Sequence, residues 1–135
     1  MIDPRVLDKM LPYMKDHFGN ASSSEHIYGW EANETVNNAR EQISNLISCS
    51  PNEIFFTSGA TESNNISIMG LIKSLDSDIH IITAKTEHKS ILDIFEYLSK
   101  NKIETAYLNV NSDGIVNLDE LSAAIKSNTK LISIM

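Results

Sequence analysis

Apolar residues from position 53 onward follow two alternating patterns: short continuous runs, and positions three and four residues apart. Short runs rich in β-favouring residues predict strands, and the wider spacing predicts amphipathic helices. The four predicted strands occupy residues 53–58, 79–84, 103–108 and 130–135. The helices between them carry their apolar residues within 68–75, 91–98 and 118–125. Strands that alternate with helices favour a mainly parallel sheet with right-handed crossovers, so the pattern predicts an α/β fold with flanking helices.

The start of the chain shows helical spacing without strand signals. Asp3 followed by Pro4 is a favourable helix start, because aspartate caps a helix and proline at the first position sacrifices no hydrogen bond. Pro12 lies inside the apolar pattern that follows and removes one internal hydrogen bond. We therefore expect this helix to kink or to end early, near Leu11.

A polar loop and a long helix come next. Residues 16–27 are rich in Gly, Asn and Ser and lack periodicity, which predicts a solvated or subunit-contact loop. His26 lies there among serines that could bind an anion or a metal, but a single histidine is too little for a metal site. Apolar positions within 32–47 predict the long helix. We therefore divide the chain into residues 1–52, N-terminal helices and loop, and residues 53–135, the first part of the sheet-containing domain.

Composition narrows the function classes. The net charge is −7 and Lys and Arg form no cluster, which argues against nucleic-acid binding because phosphate neutralisation requires positive charge. No run approaches the roughly 18 apolar residues of a membrane helix, and the N-terminus lacks a signal segment. We therefore expect a cytoplasmic protein without membrane association, or one of the mitochondrial matrix if the source is eukaryotic. The single cysteine, Cys49, excludes an internal disulfide, and without an activating neighbour in the sequence it is interpreted as structural.

The first strand–helix junction, at Thr57-Ser58-Gly59, is a candidate anion site. The first turn of the following helix has unpaired backbone amides, and the positive end of its dipole lies at the same place. Gly59 places no Cβ in the way of a ligand, and the hydroxyls of Ser58 and Thr61 can supplement the amides, so a phosphate suits the site. The alternative is a helix start that caps itself, with Gly59 or Ser58 at the N-cap and Glu62 reaching back as in a capping box.

A second junction repeats this geometry with a histidine. The run that ends at Thr83 is followed by Ala84-Lys-Thr-Glu-His-Lys89 and then by a new helical pattern. Ligands of open α/β sheets bind outside the carboxyl ends of parallel strands, so Thr61 and His88 are expected on the same side of the sheet. His88 alone would be a solvated loop residue, but together the two junctions indicate a binding site.

The amino-acid sequence of these segments resembles that of the cysteine desulfurases of iron–sulfur cluster assembly. These enzymes belong to the class V aminotransferase group of fold-type I pyridoxal 5'-phosphate (PLP) enzymes. The matching segments are Thr57-Ser-Gly-Ala-Thr-Glu-Ser-Asn-Asn65, Lys85-Thr-Glu-His-Lys89, Phe18-Gly-Asn20 with His26 and Gly29-Trp30, and Leu131-Ile-Ser-Ile-Met135. The resemblance implies that Ala60 and Thr61 bind the cofactor phosphate, and that His88 stacks on the pyridine ring and assists proton transfers. It also implies L-cysteine as substrate, with alanine released and the sulfur kept as an enzyme persulfide for iron–sulfur cluster and thio-cofactor synthesis. A homodimer and scaffold or sulfur-acceptor proteins are the implied partners.

The resemblance also indicates what these 135 residues lack. In the family, the Schiff-base lysine and the persulfide-forming cysteine lie C-terminal to the matched region; Lys85, Lys89 and Cys49 do not match them. The implied fold is therefore an incomplete PLP-dependent transferase large domain, and we expect the chain alone to be inactive. In the family order the strand at 53–58 is separated from the other three, so it should lack neighbours and strand 130–135 should have an exposed edge.

Two other interpretations stay open. One is a catalytically dead truncated homologue that acts only through association with another protein. The other is a sister class V activity such as selenocysteine lyase.

One residue of the long helix departs from the family pattern. Ser48 stands where the family usually has glycine. If its backbone is left-handed, this serine would lower the stability of the fold by about 1 kcal/mol.

Overall fold

The computed structural model describes residues 1–75 and 78–135, which form two compact units, Met1–Phe56 and Thr57–Met135. The first unit contains helix α1 (Pro4–Lys15), helix α2 (Ile27–Ile47) and a 3₁₀ turn at Pro51–Glu53. The second unit contains α3 (Ala60–Lys73), β1 (His80–Ala84), α4 (Lys89–Lys100), β2 (Glu104–Leu108), α5 (Leu118–Ala124) and β3 (Thr129–Ser133). The predicted α/β fold class is confirmed.

Helix α1 begins as predicted but does not end early. The Asp3 carboxylate accepts a hydrogen bond from the backbone N–H of Arg5 and caps the helix. The helix continues through Pro12 to Lys15, so the expected end near Leu11 is wrong. Proline removes only its own N–H, and its carbonyl still accepts a bond from the Asp16 amide at 2.8 Å, so one lost hydrogen bond does not end the helix.

Helix α2 is the predicted long helix, and its first turn packs tightly on the preceding loop. The ring Nδ1 of His26 accepts a hydrogen bond from the Gly29 amide at 3.1 Å and caps the helix. A Cβ on Gly29 would lie 1.9 Å from the carbonyl oxygen of Ser23, so this close approach requires glycine. Near the other end of the unit, Arg40 donates to the Ile54 carbonyl and covers the Phe56 ring at 5.0 Å.

Helix α2 ends at Ile47, and its C-cap residue Ser48 is left-handed, with φ 58° and ψ 47°. A side chain in this conformation is strained and glycine is not, so Ser48→Gly is expected to raise the free energy of unfolding by about 1 kcal/mol. Urea unfolding followed by circular dichroism measures the change. Ser48→Ala is the matched control, because it removes the hydroxyl and keeps the strain. Equal stabilities of the glycine and alanine variants would contradict the interpretation.

The sheet of the second unit is parallel, with strand order β2–β1–β3. The central strand β1 is fully buried, and Phe95 of α4 packs in the core beside it. Strand β3 lies at the edge of the sheet, as the family order predicted. This order places the carboxyl ends of all three strands on one side, where ligands of such sheets bind.

The predicted strand at residues 53–58 is not a strand in the structure. Glu53 belongs to the 3₁₀ turn, and Ile54 is extended with φ −96° and ψ 123°. No strand pairs with this segment within residues 1–75 and 78–135, and a strand requires a hydrogen-bonded neighbour. Among the described residues the segment therefore has no neighbouring strand, as the family order predicted. The side chain of Phe55, within it, is 76% exposed.

Helix α5 is capped by Asn117, but Glu120 does not complete a capping box. The Asn117 side chain accepts hydrogen bonds from the backbone N–H groups of Asp119 and Glu120. The Glu120 carboxylate instead accepts bonds from the backbone and side chain of Asn109, which follows β2. It therefore ties α5 to the end of the neighbouring strand.

Candidate functional site

The first turn of α3 offers unpaired donors. Gly59 is the N-cap residue, and its carbonyl accepts the first helical bond, from the Ser63 amide at 3.1 Å. Among the described residues, the amides of Ala60, Thr61 and Glu62 have no acceptor, and no side chain caps the helix. A Cβ built on Gly59 would meet no atom within 4 Å, so the space beside this turn is open. Three free amides, the positive end of the helix dipole and an open approach suit a phosphate group.

Glu62 reaches back as the self-capping alternative expects. Its hydrogen-bond partner is Ser58, whereas the N-cap residue is Gly59. Its carboxylate accepts the Ser58 amide at 2.6 Å and the Ser58 hydroxyl at 2.8 Å, and these bonds lower the pKa of Glu62. The Ser58 hydroxyl proton is thus used by Glu62, and the expectation that it supplements the amides is wrong. The Thr61 hydroxyl has no partner within the described residues. The carboxylate does not satisfy the three free amides, so self-capping accounts for only part of this junction.

His88 lies at the start of α4, directly after the end of β1. It is the N-cap residue, and its ring Nδ1 accepts a hydrogen bond from the Ser90 amide at 3.1 Å. The same Nδ1 is 2.9 Å from the Ser90 hydroxyl oxygen. That hydroxyl in turn accepts a bond of 2.9 Å from the side-chain amide of Asn64, in α3. A continuous hydrogen-bond chain therefore joins His88 to the helix that begins with Ala60 and Thr61.

An open cleft between α3 and α4 begins at the same place. Its volume is about 380 Å³, and Thr61 and Ser90 both line it. Tyr97 and Met69 supply part of its apolar wall. The two junctions that the sequence singled out thus share one surface, as expected from strand ends on one side of a parallel sheet.

Sequence reasoning did not identify Asn64 or Ser90 as part of this arrangement. The spacing of His88 and Ser90 carried a signal, since an N-cap side chain accepts from the amide two or three residues later. Asn64 carried none, because it lies 26 residues before Ser90 and meets it only through the packing of two helices.

The two lysines near His88 are engaged with neighbouring side chains. The Lys85 ammonium donates to the Asn109 side chain at 2.8 Å. Lys89 pairs with Asp93 at 2.8 Å, and this hydrogen bond and charge raise the pKa of Lys89. A raised pKa keeps the amine protonated, which opposes nucleophilic attack on an aldehyde. Neither lysine is prepared for covalent attachment of a cofactor.

The loop before His88 contains one buried polar atom without a partner. Glu87 Oε1 is inaccessible to solvent and has no hydrogen bond within residues 1–75 and 78–135. A buried carboxylate oxygen is costly unless a donor reaches it.

Other candidate chemistry in the chain is sparse. Cys49 is a half-buried free thiol in the first unit. Within the described part of the chain, no three His, Cys, Asp or Glu side chains come together as a metal site would require. No helix found there has both the length and the apolar content needed to cross a membrane.

Known proteins place the chain in a family. The model of the family described as aminotransferase class-V matches residues 1–135. The mitosomal cysteine desulfurase of Encephalitozoon cuniculi (strain GB-M1) is 50% identical over an alignment of 136 positions, which covers 98% of this chain and 32% of that protein. The cysteine desulfurase IscS of Neisseria meningitidis (strain 053442) is 47% identical and is covered to 33%. This chain thus spans about a third of the length of the curated relatives it matches.

A solved structure agrees with the fold. A NifS-like protein superimposes with a TM-score of 0.89 at 38% identity, covering 99% of this chain and 37% of that chain. The α/β arrangement described above is therefore similar to that of part of this NifS-like protein. Since the family model matches from the first residue to the last, the chain belongs to the aminotransferase class-V family.

Proposed function

We propose that the chain is the N-terminal part of a PLP-dependent cysteine desulfurase and contributes the phosphate-binding turn and ring-facing histidine of its cofactor site. The observation that carries the proposal is the pairing of three unpartnered amides at the start of α3 with His88 through the Asn64–Ser90 hydrogen-bond chain. Relatives of 47–50% identity that carry the name cysteine desulfurase support the choice of activity.

The residues of the first turn of α3 would hold the phosphate group of PLP. The amides of Ala60 and Thr61 donate to its oxygens, and the Thr61 hydroxyl adds a further donor. The imidazole of His88 would lie against the pyridine ring and assist proton transfers. The bound cofactor supplies an electron sink for bond cleavage at the amino acid. The protein's part is to orient this group and to keep the imidazole in place.

The proposed reaction converts L-cysteine and an enzyme thiol into L-alanine and an enzyme persulfide. The sulfur would then serve iron–sulfur cluster and thio-cofactor synthesis through scaffold or acceptor proteins. This assignment places the protein in the cytoplasm, or in the mitochondrial matrix of a eukaryote. The open edge of β3 and the exposed side chain of Phe55 support association, which we propose as a homodimer in the complete protein.

Thr61→Val tests the phosphate assignment. The chain alone is expected to bind PLP weakly or not at all, so the test applies where binding is detected. Valine keeps the shape of threonine and removes the hydroxyl, and loss of one hydrogen bond to a charged group should then weaken PLP binding by about tenfold. Equilibrium dialysis against PLP measures the dissociation constants. Thr35→Val is the matched control, because the Thr35 hydroxyl donates only to the Glu31 carbonyl of its own helix.

Equal affinities of the wild-type chain and the Thr61→Val variant would contradict the assignment. An equal loss in Thr61→Val and Thr35→Val would assign the effect to stability instead of contact.

A further inference from the structure

We propose that Asn64 and Ser90 are positioning residues that hold His88 as a neutral imidazole with its proton on Nε2. This inference rests on the proposed function, because it specifies what His88 presents to a ligand. It assigns a role to two residues outside the phosphate-binding turn and the ring-facing histidine.

The chemistry of the first member of the hydrogen-bond chain favours one direction. The side-chain nitrogen of Asn64 can only donate, and its partner at 2.9 Å is the Ser90 hydroxyl oxygen. This bond uses one of the two lone pairs of that oxygen. The hydroxyl proton is free to be donated to Nδ1 of His88, also at 2.9 Å, which would then accept.

A second donor enforces the same assignment. The backbone N–H of Ser90 also donates to Nδ1 of His88, at 3.1 Å. An imidazole nitrogen that carries a proton has no lone pair to accept either bond. A proton on Nδ1 would thus break the bond from the Ser90 amide and leave two N–H donors facing each other.

The consequence is a defined chemical role for the free ring nitrogen. With Nδ1 filled by Ser90, only Nε2 is left for a ligand, and it carries a hydrogen. His88 then meets cofactor and substrate as a hydrogen-bond donor to an electron-rich atom, and proton abstraction by the ring would require the Nδ1 contacts to be released first.

Nuclear magnetic resonance of the chain labelled with ¹⁵N-histidine tests this directly. Long-range ¹H–¹⁵N correlation spectra distinguish protonated from unprotonated ring nitrogens, and loss of one of the four histidine patterns in His88→Gln assigns the signal. At about pH 8.5, where an ordinary histidine is neutral, the wild-type ring should show an unprotonated Nδ1 and a protonated Nε2. A protonated Nδ1 in the wild-type chain would overturn the inference.

Variants separate positioning from folding. Ser90→Ala removes one of the two donors and should lower the ratio of Nε2–H to Nδ1–H tautomers about fivefold, the value of one ordinary hydrogen bond. Asn64→Ala should lower the ratio less, and Ser90→Thr, which keeps the hydroxyl, should restore it. Asn37→Ala is the matched control, because its side chain bonds only to Asn33 of the same exposed helix. An unchanged ratio in Ser90→Ala would overturn the role of the hydroxyl.

The readout needs no cofactor, so its failure is distinguishable from failure of the proposed function. A fixed tautomer without PLP binding would leave the inference intact and contradict the cofactor site. PLP binding with two equally populated tautomers would support the cofactor site and reject the role of Asn64 and Ser90.

Discussion

Incubation of the 135-residue chain with PLP and L-cysteine is expected to release no alanine above the amount that free PLP produces. The reaction requires a lysine amine that binds the cofactor covalently. Lys85 donates to Asn109, and Lys89 is held as an ammonium by Asp93. Both side chains are already engaged with neighbouring residues, so the expected loss relative to a full-length desulfurase is complete. Quantification of alanine by chromatography measures the outcome.

The control for this experiment is a full-length cysteine desulfurase assayed under the same conditions. Absorbance spectroscopy of the chain with PLP should show only free cofactor. Alanine release together with the visible absorbance of lysine-bound cofactor would contradict the account. Loss of both signals in Lys85→Ala or Lys89→Ala would then identify the lysine that had been excluded.

Phe95→Ala is expected to lower the free energy of unfolding by about 3–5 kcal/mol. Phe95 has no exposed surface. It belongs to the core cluster that also contains Ile81 of the central strand and Ile68 and Ile72 of α3. Its ring also meets Tyr107 edge-on, with centroids 6.4 Å apart. Alanine would leave a large cavity at the centre of the second unit. The surrounding strand and helices cannot move far enough to fill it, because the sheet holds them in place.

Urea unfolding measures this loss, with Tyr97→Ala as the matched control. Tyr97 lies two residues further along the same helix and is 54% exposed, so truncation there should cost less than about 1 kcal/mol. Comparable losses for the two variants would contradict the description of the core. A variant that is unfolded in the absence of urea would agree with it, since a domain of this size has only a few kcal/mol to lose.

The sequence predicts the second unit well, because its elements are encoded locally. Continuous apolar runs predicted the strands that became β1, β2 and β3, and their alternation with helices predicted parallel order. The run at 53–58 has the same local signal and still forms no strand. Strand formation depends on a partner as well as on residue type, and local sequence does not contain the partner. Pro12 illustrates the converse, since the local signal for a helix end was outweighed by bonds on both sides of it.

The candidate site was predictable where it depends on residue types at element ends. Ala60, Thr61 and His88 follow from two strand–helix junctions and a family resemblance. Their roles at the cofactor remain predictions. The Asn64–Ser90 contact was not predictable, because it depends on how α3 and α4 pack. The acceptor of the Ser58 hydroxyl was missed for a different reason. Glu62 could reach back to Gly59 or to Ser58, and only the backbone conformation decides between these two partners.

The central claim is that the first turn of α3 binds a phosphate group beside His88. The most direct measurement is a titration of the ¹⁵N-labelled chain with PLP, with inorganic phosphate in parallel, followed by backbone amide shifts. The account predicts that both ligands shift the amides of Ala60, Thr61 and Glu62 most strongly, and that only PLP also shifts the ring signals of His88. Shifts confined to other parts of the chain, or no shift of these three amides at saturating ligand, would contradict it.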